Sequence, residues 1–283
     1  MHSRLSWYNI LHSTMSLENI ASKRNRILLR ELVITDFKLR YQGSVLGYLW
    51  SVLKPLFLFA ILYVVFDKFL RLGRDIEHFP IYLLLGTVLW QFFTEATTQG
   101  LQAIINRGDL IRKINFPKYI IVISGTISAL INLMINMIVV VVFCLINGVH
   151  IRLEALLVLP LIIELYIFSL ALAFFLSAIN VKYRDVGYLW EIFLQAAFYA
   201  TPIIYPLQMV AKQMAGAEKW LLMNPVAQIM QDIRYMLVTK DSMTLWSSVS
   251  GWKTIIPFLV IVLVVVLGSY YFKKKQKYFA EEI

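Results

Sequence analysis

The sequence predicts an all-α polytopic membrane protein of six transmembrane helices with both termini cytoplasmic, and three observations carry that prediction. The chain is 59% hydrophobic and only 16% charged, with mean hydropathy +0.69, so in water its surface would be one continuous apolar patch. Long apolar runs recur along it, each sufficient to span the roughly 30 Å of hydrocarbon in a bilayer. Lysine and arginine gather in alternate connecting segments. Eighteen of the 27 fall in the segments up to Lys54, around 107–118, at Lys182 and Arg184, and in the tail after Phe272, which places those segments inside.

Residues 1–44 are polar and basic. Leu28, Leu29, Leu32, Val33 and Phe37 recur at helical intervals opposite Arg26, Arg30, Lys38 and Arg40, the pattern of an amphipathic helix in the cytoplasmic interface. Packing of the same face on a protein partner is the alternative, and the two are compatible.

The first span is expected at 45–66, a run of 22 residues with Ser51 and Lys54 as its polar exceptions. The Lys54 ammonium can extend toward headgroups, and Pro55, lacking an N–H, frees the carbonyl one turn back. Gly43 and Gly47 either let two helices approach closely or permit the bend into the span. The second span, 79–104, opens at Phe79-Pro80, and its polar half, Thr94 to Gln99, must face protein or water. Further spans are expected at 119–146, 155–179, 186–202 and 254–272, followed by a basic tail at 273–283.

The stretch 203–251 is too long for a plain connector. It holds Pro202-Ile203-Ile204-Tyr205-Pro206, then Trp220 to Pro225, then Val226, Ile229, Met230, Ile233, Met236 and Leu237 at helical spacing. Apolar turns broken by proline read as re-entrant helices in the outer leaflet, against the alternative of an amphipathic helix resting on the bilayer.

Several function classes are excluded or weakened. The net charge of +10 is mostly the topological bias already described, with attraction to anionic lipid, and gives nucleic-acid binding little support. Cys144 is alone in an apolar run, and His2, His12, His78 and His150 are scattered, so neither a disulfide framework nor a metal site is expected. The first forty residues lack the apolar core of a signal peptide, so the first span is expected to do the targeting. No G-x-x-x-x-G-K-[ST] motif occurs among the 12 glycines, hence no nucleotide-driven motor of its own. A membrane glycosyltransferase would show convergent catalytic groups, whereas the long outer loop offers only Glu218, Asp232 and Asp241, widely spaced.

Five stretches together resemble the permease subunits of ABC-2 type exporters of polysaccharide and teichoic acid, the Wzm and TagG type. They are Tyr41, Gly43, Ser44, Leu46, Gly47, Leu49, Trp50 and Pro55 at the entry; Leu110 to Pro117; Asn180 to Val186; Thr201 to Pro206; and Asn224-Pro225. The residues before Leu28 and the mid-span Glu164 lie outside this pattern. The resemblance implies a homodimer paired with two copies of a separate ABC ATPase that binds the ATP and magnesium, moving a glycan linked to an undecaprenyl-type lipid across the inner membrane. O-antigen is the expected cargo, teichoic acid or a small drug the alternatives.

By the same resemblance the loop 107–117 is a coupling helix for the ATPase, through Asp109, Leu110, Ile111, Arg112, Lys113, Phe116 and Pro117. Its mix of apolar anchors and charges suits a helix seated in a partner's groove, though it could instead merely hold two spans in register. Tyr48, Trp50, Phe57, Phe59, Tyr63 and Phe66 in the first span, with Trp190, Phe193, Phe198 and Tyr199 in the fifth, are the expected glycan-channel lining, since aromatic planes accept the C–H faces of sugars. Such stripes also serve as packing or an interfacial belt. Pro202, Tyr205 and Pro206 are the expected outer gate. Arg40, Lys182 and Arg184 are candidates for the lipid phosphate, because arginine binds phosphate bidentately. An Arg184–Asp185 ion pair is the plain alternative. Glu95, Glu164 and Glu191 lie in or near spans, where an ionised carboxylate costs about 3 kcal/mol and seeks a partner. Asn132 and Asn136 are the candidates expected to serve Glu164.

Overall fold

The computed structural model describes residues 22–283 apart from 72, 74, 75 and 151, and the side chain at 41 is also left undescribed. The N-terminal extension, His2 and His12 therefore lie outside the described residues. All regular structure among the described residues is helical. Helix α1 is Lys23–Tyr41; the entry helix α2, Trp50–Tyr63, is led in by the 3-10 turn Gly47–Leu49 and prolonged by a π-helical turn, Val64–Phe69. Then come α3 (Phe79–Asn106), α4 (Gly108–Lys113), α5 (Tyr119–Ile146), α6 (Val158–Lys182) and α7 (Val186–Ala200). Four short pieces follow, α8 (Leu207–Gln213), α9 (Ala217–Leu221), α10 (Pro225–Leu237) and α11 (Leu245–Ser248), before α12 (Ile256–Lys275) and α13 (Phe279–Glu282).

Among the described residues, four segments are long and apolar enough to cross a membrane: Gly47–Phe69, Tyr119–Ile146, Leu153–Lys182 and Gly251–Lys275. The other two expected spans fall short for opposite reasons. Helix α3 has 28 residues, but Gln91, Glu95, Gln99 and Gln102 interrupt its apolar run. Helix α7 is apolar but has 15 residues, about 22 Å of rise.

Helix α3 is the axis of the bundle, packed between α5 and α6, while α12 packs on the far side of α6. Small residues allow the approach. A Cβ at Gly100 would stand 2.2 Å from that of Ala173, and one at Gly268 would stand 2.4 Å from the Ala171 carbonyl, so α3 and α12 both meet α6 at backbone distance.

Helix α1 packs on its own chain. Leu32 is buried, with Leu28 and Leu29 against it, in an inner core shared with Ile104, Ile120, Phe174 and Phe272. Gly43 and Gly47 have φ of 76° and 50°, with open space where a side chain would be, so they make the bend into α2 rather than a close helix contact. The carbonyl that Pro55 frees is that of Ser51, and Asn136 Nδ2 of α5 donates to it at 3.1 Å. This hydrogen bond lets a proline sit inside an apolar helix without an orphaned acceptor.

Helix α10 begins at an Asn224 cap, whose side chain accepts from Val226 N, with Pro225 in the first turn. Its Val226, Ile229, Met230, Ile233 and Leu237 join the main core with α3 and α6. It is an inward-facing element and does not rest on the surface of the bundle.

Candidate functional site

An open groove of about 1230 Å³ runs between α3 and α7 and is closed on one flank by Lys54 and Leu58 of α2. Helix α3 contributes a stripe at helical spacing, Thr87, Trp90, Gln91, Thr94, Thr98, Leu101 and Gln102, and α7 answers with Tyr188, Trp190, Glu191, Gln195, Phe198 and Tyr199. Arg184 and Asn106 stand at one end. Trp190 is fixed by its indole N–H, which donates to Thr97 Oγ1 at 3.2 Å, and by stacking on Phe193 at 4.9 Å between centroids. Asn180 Nδ2 donates to the Leu101 carbonyl at 3.1 Å, while its Oδ1 has no partner. Flat rings alternate with neutral amides and hydroxyls over most of the wall. That surface can stack on and hydrogen-bond to a polyhydroxylated chain without one deep binding well.

Beyond the Arg184 end lies α4. Ile111 and Phe116 are buried in the inner core and Leu110 and Pro117 are half-buried, leaving Asp109, Arg112, Lys113 and Ile114 exposed. Helix α13 braces α4 from behind: a Cβ at Gly108 would come within 2.5 Å of the Ile283 side chain.

Two ion pairs of opposite sense join α1 to α3 and to the residue that caps its end. Asp36 pairs with Arg107, just before α4, and Arg40 pairs with Glu95 in mid-α3. Ser124 Oγ donates to Asp36 at 3.2 Å; Gln99 Nε2 and Asn132 Nδ2 donate to Glu95 at 2.8 and 2.7 Å. Asp36 and Arg40 are one helical turn apart, so they lie on one face of α1.

The ABC-2 type transporter family matches residues 27–238. The chain belongs to that family. Among curated relatives of this ABC-2 chain is an O-antigen export system permease protein of Myxococcus xanthus, 31% identical over 205 residues, 72% of this chain and 78% of the relative. A protein of the same name from Klebsiella pneumoniae is 30% identical over 254 residues, 88% of this chain and 93% of that one.

Of the ten aromatic residues expected to line a glycan channel, the groove gathers only some. Trp190, Phe198 and Tyr199 line the groove, and Phe193 stands just behind Trp190. None of the six aromatic residues of the first span does. Phe59 is 8% exposed in the main core, stacked on Tyr63 at 5.8 Å and edge-on to Phe143 at 6.1 Å, with Phe66 packed beside them. Tyr48, Trp50 and Phe57 are exposed elsewhere, Tyr48 stacking on Phe37 at 5.3 Å. The reason is angular: Lys54 and Leu58 present one side of α2 to the groove, so residues at 59, 63 and 66 turn toward α5. Helix α3 takes their place, and the sequence signal for it was its polar half.

Other expectations are corrected. Arg40 is engaged by Glu95 and is not held out for a phosphate. Asn132 serves Glu95, and Asn136 donates to the Ser51 and Asn132 carbonyls; Glu164 Oε1 has no hydrogen-bond partner. Arg184 makes no ion pair with Asp185 but lines the groove, while Lys182 lies over the Tyr183 ring at 5.2 Å.

The Pro202 end is built around a buried cation. Arg234 of α10, which no sequence motif singles out, is fully buried, and no carboxylate among the described residues pairs with it. Its Nε and Nη2 donate to the Tyr82 carbonyl at 3.2 and 3.0 Å, Nη1 to the Pro202 carbonyl at 2.6 Å and to Gln231 Oε1 at 2.8 Å, and Nη2 also to the Ile203 carbonyl at 2.8 Å. The guanidinium lies 3.4 Å from the Tyr82 ring centroid. Pro202 and Pro206 are buried nearby, and Tyr205 Oη donates to the Tyr199 carbonyl at 3.1 Å.

Proposed function

We propose that this chain is the membrane-spanning permease of an ATP-driven exporter, and that its cargo, a lipid-linked polysaccharide of the O-antigen kind, moves along the groove between α3 and α7. The groove's wall of alternating rings and neutral amides carries this reading, together with relatives named as O-antigen export permeases over most of this chain's length. The groove is open on one side, and Leu194 is the only buried residue of α7. A second copy facing it across a two-fold axis would cover that side and turn two grooves into one conduit.

In this reading the chain crosses the inner membrane six times with both termini cytoplasmic, α3 and the short α7 being tolerated as spans because protein and not lipid surrounds their polar sides. The pieces between Leu207 and Ser248 then form the outer, re-entrant layer. Two copies of a partner ABC ATPase, which bind ATP and magnesium, act on the exposed face of α4 at Asp109, Arg112, Lys113 and Ile114. Arg184, at the mouth of the groove, meets the lipid diphosphate.

Alanine at Trp190 and Tyr199 together should lower surface glycan by about tenfold, the weight of one or two ring contacts, while the chain remains in the membrane. Undiminished glycan in that variant removes the groove from the pathway. Extrusion of small dyes with no effect on surface glycan would favour a drug exporter instead.

A further inference from the structure

Arg234 is the largest fully buried side chain of the described residues, and what it holds is unusual. A guanidinium has five N–H bonds, and here five hydrogen bonds leave it, four of them to carbonyls. Those carbonyls belong to both walls of the groove. Tyr82 is in α3, and Pro202 and Ile203 form the turn that ends α7. Position 86, one turn beyond Tyr82, has to be bare, because a Cβ there would stand 2.3 Å from Arg234 Nη2. A charge taken out of water without a counter-ion among the described residues, and satisfied by backbone from two converging elements and one neutral amide, marks a functional position more than a packing one.

We infer that Arg234 is the positioning residue of the far end of the conduit: by holding the Tyr82, Pro202 and Ile203 carbonyls in one fork it fixes the separation of α3 and α7 there and keeps that end shut between transport events. Lysine cannot replace it, since one ammonium offers three N–H bonds from a single point and cannot bridge three carbonyls in a plane. The inference rests on the groove being the conduit, so the test must separate the two ideas.

The test uses the full chain with its partner ATPase in membrane vesicles, with Cys144 replaced by serine and Gln195→Cys placed in the groove wall. Labelling of the introduced thiol by a membrane-impermeant maleimide is followed from each side. With Arg234 intact, the thiol at position 195 should label from the cytoplasmic side and only slowly from the outside. Arg234→Lys, and separately Gly86→Ala, should raise outside labelling by about tenfold, as expected when several hydrogen bonds to a charged group are lost. ATP hydrolysis should continue with glycan export reduced. Outside labelling that stays slow in both variants, each folded by gel filtration, overturns the latch and leaves the conduit standing. Loss of the folded chain in both shows that Arg234 holds the fold and not a gate, which also overturns it. Failure of the introduced thiol to label from either side with Arg234 intact defeats the conduit itself and the latch with it.

Discussion

The two ends of the groove are held by opposite kinds of chemistry. At the α4 end, α1 grips α3 and the residue that follows it through paired charges, Asp36 with Arg107 and Arg40 with Glu95, all between 18% and 25% exposed at the side chain. At the Pro202 end a single fully buried arginine grips backbone and has no acid partner among the described residues. Partly hydrated pairs can be exchanged at modest cost, whereas freeing a buried guanidinium from its acceptors costs several kcal/mol. The first arrangement leaves room for small shifts of α1 against α3, and the second holds α3 to the turn after α7 without such room.

The crossed signs at the first end also set register. Sliding α1 by one turn against α3 would bring Asp36 toward Glu95, so α1 docks one way only. It is tied to the residue just before α4 and to the middle of α3.

The comparison is broken most severely by Arg234→Ala. Three buried carbonyls lose their donors and a cavity opens, so stability should fall by about 3 to 5 kcal/mol, measured as the detergent-solubilised unfolding midpoint. A loss no larger than that of a surface substitution would mean water replaces the guanidinium, and the contrast between the ends would vanish. A smaller effect is expected at the other end. Glu95→Gln should cost about 1 to 2 kcal/mol, because Gln99 and Asn132 keep an acceptor while Arg40 loses its charge partner. The swap Arg40→Glu with Glu95→Arg should recover most of what Arg40→Glu alone loses; absence of recovery would show that the pairing is incidental. Smallest for stability is charge reversal at Arg112 and Lys113, within about 0.5 kcal/mol because both are exposed. Its effect should appear instead as ATP hydrolysis uncoupled from export, and normal coupling in that variant would take α4 out of the drive train.

Much of this is legible in the residues alone. The helical class, the break at Pro55, the polar half of the second span and the stretches shared with ABC-2 exporters are all local in sequence, and each reads out by periodicity or by residue chemistry. The lining of the groove is half legible. Trp190, Phe198 and Tyr199 do line the groove, but Phe59, Tyr63 and Phe66 carry the same helical spacing and point into the core. In a membrane chain an apolar stripe can face lipid, another helix or a conduit, and its spacing is the same in all three cases.

What the sequence determined by itself was therefore the set of elements and the family, because hydropathy, charge bias and turn residues act over a few residues at a time. Which face of each helix meets which neighbour was decided only by tertiary packing. Arg234 shows why. In sequence it is one of nine cations outside the basic segments, and only the convergence of α3, α10 and the turn after α7 surrounds it with carbonyls and makes it the most buried charge in the described fold.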